Sequence, residues 1–260
     1  MKFGMPTLIE APDLNDCARL CAELGLDFVE LNMNLPQYQT DRLDIPRLKS
    51  VSKEYGIFFT IHLDENLNVS DFNPRISSAY TDTVLNALSI AHQLDIPLLN
   101  MHMAEGVYFT LPDKRVYLFD VYRDDYLRGL SEFRDKCAAA AGGTKILIEN
   151  TDGWRTTTRE GIDTLLESEC FGLTFDIGHS HCAGDADEAF ITERSSRLRH
   201  FHIHDADAHH NHLTLLTGEI DLGRRLRMAR SLDCTCVLET KTIEALTESV
   251  SRLRELLGTL

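Results

Sequence analysis

Eight short apolar runs alternate with longer amphipathic segments, and this order limits the fold more than any other feature of the sequence. Eight repeats of a strand followed by a helix are typical of a closed parallel barrel, which needs about 250 residues. The chain has 260 residues. We therefore predict a single-domain α/β protein, a (β/α)8 TIM barrel over residues 1–260. The runs are Lys2–Met5, Phe28–Leu31, Ile57–Ile61, Leu98–Met101, Ile146–Ile148, Leu173–Phe175, Arg199–Ile203 and Cys236–Leu238.

The segments between the runs carry apolar residues at helical spacing. One of them begins at Arg75, directly after Asn73 and Pro74, a cap residue and a first-turn proline. A doubly wound open sheet is the alternative fold. No GxGxxG motif follows the first run and no Walker-type phosphate loop occurs, which weakens the nucleotide-binding form of that alternative. The predicted helices are Leu14–Leu24, Ile45–Tyr55, Arg75–Leu94, Phe119–Ala141, Arg159–Glu167, Glu188–Arg197, Gly223–Leu232 and Ile243–Leu257.

Charge and cysteine content restrict the partners and the compartment. A net charge of −15 repels phosphate backbones, which disfavours nucleic acid as a partner. No apolar run approaches the length of a membrane helix, and the N-terminus lacks the apolar core of a signal peptide. The seven cysteines contain no CxxC pair, which favours reduced thiols and a cytoplasmic location.

Polar side chains mark the ends of the predicted strands. Because alternate residues of a strand face opposite sides, Glu149 lies on the face opposite Ile146 and Ile148. If the apolar faces pack against the outer helices, the polar ends point towards the barrel axis. They then meet at the face where such barrels carry their chemistry. On the third to eighth strands these residues are His62, His102, Glu149, Asp176, His202 and Glu239.

This set of imidazoles and carboxylates predicts a divalent metal site, because these groups are the usual ligands of zinc, manganese, iron and cobalt. Eight of the eleven histidines lie between His179 and His212, which adds further donors. A single histidine can simply be hydrogen-bonded, and Glu149 or Asp176 alone could cap a helix. Six such residues at successive strand ends are harder to explain in that way. Trp154 could wall a substrate pocket or pack in the core, and both readings stay open.

In their order along the chain, these motifs resemble those of the xylose isomerase-like barrel superfamily. That superfamily joins sugar isomerases and epimerases with endonuclease IV-type apurinic endonucleases, and the resemblance covers nearly the whole chain. Each motif is weak by itself, but their order on successive strands is fairly specific. The motifs are Phe28-Val29-Glu30-Leu31, Thr60-Ile61-His62, Asn100-Met101-His102, Ile148-Glu149-Asn150-Thr151, Phe175-Asp176-Ile177-Gly178-His179, Phe201-His202-Ile203-His204-Asp205, His212 with Gly218-Glu219-Ile220-Asp221, and Leu238-Glu239-Thr240.

The two branches of the superfamily imply different metal sites. The epimerase branch implies one ion held by Glu149, Asp176, His202 and Glu239, with both glutamates transferring protons and His179 contacting the substrate. The endonuclease branch implies three zinc ions, of which the second uses the same four residues. An aspartate is expected there at the position of His210. The other ligands would be His62 and His102, with Glu149, for the first ion and His179, His210 and His212 for the third.

We favour a metal-dependent isomerase or epimerase acting on a small sugar, sugar phosphate or related hydroxy-carbonyl compound. The proton would move through an enediolate that the metal stabilises, with Glu149 and Glu239 as the proton-transfer residues. The acidic charge favours this function over the alternative, an endonuclease IV-like multinuclear zinc phosphodiester hydrolase. The cofactor would be one to three ions of Mn, Co, Mg or Zn, and homo-oligomerisation stays open. Candidate substrate contacts are His62, His102, His179 and Trp154.

Overall fold

Eight parallel strands close into one barrel in the computed structural model, which describes all 260 residues. The barrel strands pair in chain order, and the last pairs with the first through Lys2 beside Thr235. The predicted (β/α)8 barrel is therefore confirmed. The strands are β1 (Lys2–Pro6), β2 (Phe28–Asn32), β3 (Phe58–His62), β4 (Leu98–His102), β5 (Tyr108–Thr110), β6 (Arg115–Tyr117), β7 (Lys145–Glu149), β8 (Phe171–Asp176), β9 (Leu198–Ile203) and β10 (Thr235–Leu238), of which β5 and β6 form a separate antiparallel hairpin.

The helices follow the barrel strands, and local sequence sets their ends. The third helix begins as predicted, because the Asn73 side chain accepts a hydrogen bond from the Arg75 N–H at 3.1 Å and Pro74 occupies the first turn. None of the helices combines the length and the apolar character needed to cross a bilayer. The helices are α1 (Leu14–Glu23), α2 (Ile45–Tyr55), α3 (Pro74–Leu94), α4 (Leu118–Val121), α5 (Arg123–Ala140), α6 (Thr156–Leu166), α7 (Ile177–Cys182), α8 (Glu188–Glu193), α9 (Leu222–Ser231) and α10 (Ile243–Leu257).

The structure differs from the sequence prediction in several connections. The helix predicted from Phe119 to Ala141 is split into α4 and α5 at Tyr122, whose ψ of 46° lies outside the helical region. The helix predicted to reach Arg197 ends at Glu193 and is followed by one 3-10 turn. The sequence pattern predicts neither the hairpin β5–β6 nor the short helix α7. The hairpin strands are three residues long, β5 is exposed and β6 is exposed to half-buried, so neither carries the alternating burial pattern by which a strand is recognised in a sequence.

Strand pairing brings the polar strand ends side by side. Ile146 and Ile148 belong to an apolar core of 58 buried residues. Glu149, on the opposite face, contacts histidines of β4 and β9. The alternation of faces expected for this strand is therefore confirmed. The pairs that juxtapose polar residues are His62 with Asn100, His102 with Glu149 and Asp176 with His202.

Two helix glycines should respond in opposite ways to alanine. Gly161 in α6 packs against α5, and an added Cβ would lie 2.6 Å from both Leu130 and Tyr126. Such overpacking costs about 1–3 kcal/mol, so Gly161→Ala should lower the thermal unfolding midpoint. Gly129 in α5 has only Ser70 nearby, at 3.9 Å, so alanine there should stabilise by up to about 1 kcal/mol through helix propensity. Shifts of equal sign in thermal denaturation would contradict this packing.

Candidate metal centre and substrate cleft

Four buried side chains converge at the carboxyl ends of β7 to β10. The Nδ1 atom of His202 lies 3.0 Å from Oε1 of Glu149 and 3.0 Å from Oε2 of Glu239. It lies 3.9 Å from Oδ2 of Asp176. One nitrogen or oxygen atom from each of the four residues falls within 4.8 Å of the others. The sequence-predicted ligand set therefore meets at one point.

The charge of this group fits a divalent cation. Glu149, Asp176 and Glu239 are all buried, and burying carboxylates without compensation is costly. The buried Oε2 atom of Glu239 has no hydrogen-bond partner. An ion bound by the three carboxylates and His202 would offset both costs. Mixed oxygen and nitrogen donors suit manganese, cobalt or zinc.

The protonation of the group follows from its charges. Burial by itself would lower the pKa of His202, but the surrounding carboxylates of Glu149, Glu239 and Glu30 raise it well above its ordinary value. Burial would raise the pKa values of Glu149 and Glu239, but the charge on His202 holds both well below their usual range. Without an ion, His202 is therefore a buried imidazolium among ionised carboxylates.

A second group shares Glu149 with the first. Nε2 of His62 lies 3.3 Å from Oε2 of Glu149, and Nε2 of His102 lies 3.1 Å from the same oxygen. The side-chain amide of Asn100 also donates to Oε2, and the Thr174 hydroxyl fixes that amide by donating to its oxygen at 2.6 Å. The contact with Glu149 outweighs burial and raises the pKa of His62 to about 9. The two carboxylate oxygens of Glu149 thus face different groups.

The structure brings together only two of the three residues predicted for a third ion, His179, His210 and His212. His179 and His212 come together, with ring centroids 5.3 Å apart. The side chain of His210 is 69 % exposed and contacts Asp207 at 3.1 Å, so it is not brought to this set. His204 stands beside the pair instead. His210, the histidine at the position where the endonuclease pattern has an aspartate, is thus an exposed loop residue.

Both ring nitrogens of His204 have hydrogen-bond contacts. Its Nε2 lies 3.1 Å from the Asp176 carboxylate, and its Nδ1 accepts the backbone N–H of His212 at 2.8 Å. Its ring stacks on that of His212, with the ring centroids 4.2 Å apart. Gly178 makes room for it, because a Cβ there would lie 1.9 Å from the ring. His204 thus contacts the candidate ligand Asp176, in the position that a partner of a ligating carboxylate takes.

A cleft of about 720 Å³ opens above these groups. His62, His102, His179 and His212 line it together with Glu149 and Glu239, and Lys241 is its only lysine or arginine. The Lys241 ammonium lies 2.7 Å from Oε1 of Glu239. Three further carboxylates stand along the same cleft, on Glu65, Glu105 and Asp152.

Trp154 lies outside this cleft. It is 8 % exposed, and its ring meets that of Phe190 edge-on with centroids 5.6 Å apart. Its backbone N–H donates to the buried carboxylate of Asp187 at 3.0 Å. Of the two roles that the sequence left open for Trp154, these contacts agree with packing in the core and not with walling the substrate pocket.

Comparison with known proteins identifies the family of this barrel. A sequence profile of xylose isomerase-like TIM barrels matches residues 18–256. The chain belongs to the xylose isomerase-like TIM barrel family. It is 26 % identical over 271 residues to the uncharacterized protein MJ1311 of Methanocaldococcus jannaschii, covering 99 % of this chain and 89 % of that protein.

Solved structures of this barrel family superimpose over almost the whole chain. A D-tagatose 3-epimerase-like protein has a TM-score of 0.81 at 24 % identity, covering 100 % of this chain and 98 % of its own. A 3-keto-D-glucoside 4-epimerase from E. coli has a TM-score of 0.76 at 17 % identity, covering 98 % and 99 %. At such identities the likeness establishes the shared fold.

The sequence analysis assigned no contact or role to three residues that the structure has beside the candidate ligands. Asn100 shares its strand face with His102, so parity could have placed it inside the barrel. His204 lies on the same face as His202, but nothing in the sequence indicates that it bonds Asp176. Lys241 follows the last strand in a loop, and no periodicity marks it.

Metal binding by this barrel should release a proton. The raised pKa of His202 means that the ion-free site carries a proton at neutral pH, whereas ligation needs the free lone pair. Titration calorimetry with Mn²⁺ in buffers of different ionisation enthalpy should report about one proton released per ion. Affinity should fall as the pH is lowered. Binding heats that do not depend on the buffer would contradict this protonation state.

Proposed function

We propose that this chain is a metal-dependent isomerase or epimerase acting on a small sugar or a related hydroxy-carbonyl compound. One observation carries the proposal: three buried carboxylates and His202 meet at the base of a cleft of about 720 Å³. The epimerases named among the structural neighbours support it, although they invert different sugar carbons, C3 and C4. The carbon on which this chain would act therefore stays open.

The reaction needs a base near a weakly acidic C–H bond beside a carbonyl. When bound, a divalent ion would polarise the carbonyl and hydroxyl oxygens of the substrate. Glu149 and Glu239 have low pKa values in the ion-free protein and are therefore ionised and able to accept a proton. One glutamate takes the proton and the other returns it. Return to the opposite face of the same carbon gives an epimer, and return to the neighbouring carbon exchanges an aldose and a ketose.

Other cleft residues would hold the substrate. Lys241 touches Oε1 of Glu239 at 2.7 Å and so keeps this carboxylate oriented. His179 and His212 line the cleft on the side of β8 and β9, where they can orient substrate hydroxyls. His62 and His102 offer the same kind of donor beside Glu149.

The charge along the cleft favours uncharged substrates. Glu65, Glu105 and Asp152 carry negative charge there, against the single ammonium of Lys241. A phosphate group would meet this repulsion in addition to the net charge of −15. We therefore prefer a free sugar to a sugar phosphate.

The hydrolase alternative keeps one supporting observation. His62, His102 and Glu149 form a second cluster of candidate ligands beside the first. Against it, His210 is exposed, and His204, which stands beside His179 and His212 instead, has both nitrogens in contact with Asp176 and the His212 backbone. The acidic cleft also repels a phosphodiester backbone.

Proton transfer should be visible as isotope exchange. Metal-loaded protein should incorporate solvent deuterium into at least one member of a ketose panel, as followed by ¹H NMR. Glu239→Gln should remove the exchange, because the amide cannot accept the proton, while some metal stays bound. Glu255→Gln, an exposed change on α10, serves as the control and should leave exchange intact. If no ketose exchanges but abasic-site DNA is cleaved in a metal-dependent way, the hydrolase alternative replaces this function.

The number of ions should separate the two functions. Because Asn100 and two histidines already contact Oε2 of Glu149, we expect one tightly bound ion at Oε1. Anomalous scattering from manganese-soaked crystals should give one strong peak, bonded to the four-residue group. Asp176→Ala should abolish that peak. A second strong peak between His62 and His102 would instead favour the multinuclear hydrolase.

A further inference from the structure

A buried glutamate lies beneath the candidate metal centre and is not one of its four ligands. Glu30 points from β2 into the barrel and is 1 % exposed. Its Oε1 lies 3.1 Å from Nε2 of His202, and its Oε2 lies 3.4 Å from Nε2 of His200. The hydroxyl of Thr60 donates to Oε2 at 3.0 Å. The carboxylate therefore joins β2, β3 and β9 inside the barrel.

The two nitrogens of His202 face different partners. Nδ1 points to Glu149 and Glu239, at 3.0 Å from each. Nε2 points to Glu30. A neutral imidazole carries one proton, so a lone pair on Nδ1 requires the proton to sit on Nε2. Glu30 is the only acidic side chain in contact with that nitrogen.

We propose that Glu30 is a positioning residue, which holds the His202 proton on Nε2 and thereby keeps Nδ1 free to bind the metal. The inference rests on the proposed metal centre. A carboxylate that accepts the outer N–H of a ligating histidine fixes the tautomer and the ring orientation and raises the basicity of the ligand. In the ion-free protein, where His202 is an imidazolium, this 3.1 Å contact is an ion pair whose N–H is not aligned for a linear hydrogen bond.

A purely structural role for Glu30 predicts a different outcome. In that case it would only compensate the charge of the buried His202 ring, and its loss would reduce stability without changing the metal affinity. Asp187 provides a matched control, because it is also a 1 % exposed carboxylate and binds Arg159 at 3.0 Å away from the four-residue group. Asp187→Asn thus tests the cost of neutralising a buried carboxylate by itself.

Manganese affinity of the full chain, measured by the EPR signal of free Mn²⁺, separates these roles. Glu30→Gln should weaken binding by about 10- to 100-fold, the usual effect of losing such an outer partner. Asp187→Asn should lower the thermal unfolding midpoint and leave the Mn²⁺ affinity unchanged. Equal affinity in the Glu30→Gln variant and the parent would overturn the assignment.

A second measurement on the parent protein does not depend on how the variants fold. In the zinc-loaded, ¹⁵N-labelled chain, imidazole NMR should show His202 protonated at Nε2, with the His202→Gln spectrum used for assignment. A proton on Nδ1 would overturn the role of Glu30 while leaving the metal centre intact. A parent chain that binds no Mn²⁺ or Zn²⁺ would overturn the metal centre itself and both proposals with it.

Discussion

The mutual neutralisation of His202 and three carboxylates is the interaction on which the site depends. Each of these groups is removed from water, and none would be tolerated there as a lone charge. The barrel allows these charges to compensate one another because its parallel strands end at the same face. Residues far apart in the chain therefore meet within 4.8 Å. The barrel scaffold holds the four groups in place, and their excess negative charge favours a bound cation.

The sequence predicts the barrel and much of the site because strand parity is a local property. Alternation places Glu149 opposite Ile146 and Ile148, and the structure has them on those faces. His210 was expected at the third set only because the endonuclease-branch resemblance implies it, and the structure has His204 there instead. His204 reaches the site only because Gly178 leaves space for its ring, a tertiary fact with no local signature.

Long-range contacts explain the other differences. Tyr122 breaks a continuous helical pattern, and the ring of Phe72, from the loop before α3, meets it edge-on at 5.8 Å. The contact between Phe72 and Tyr122 comes from a distant part of the chain, so the helical pattern of residues 119–141 could not indicate the break. Glu30 was visible as a charge in a buried strand, but its partners come from β3 and β9, which no window of sequence contains. Such pairs across the barrel can be identified only from the three-dimensional structure.

Glu149 has a consequence for binding thermodynamics. One of its oxygens faces His202, and the other faces His62 and His102. A ligand, proton or cation on one side therefore withdraws electron density from the other. Thermodynamic linkage makes that effect reciprocal. Binding at one oxygen of Glu149 changes the affinity at the other oxygen by the same factor as the reverse. Two cations bound to this carboxylate would therefore weaken each other's binding.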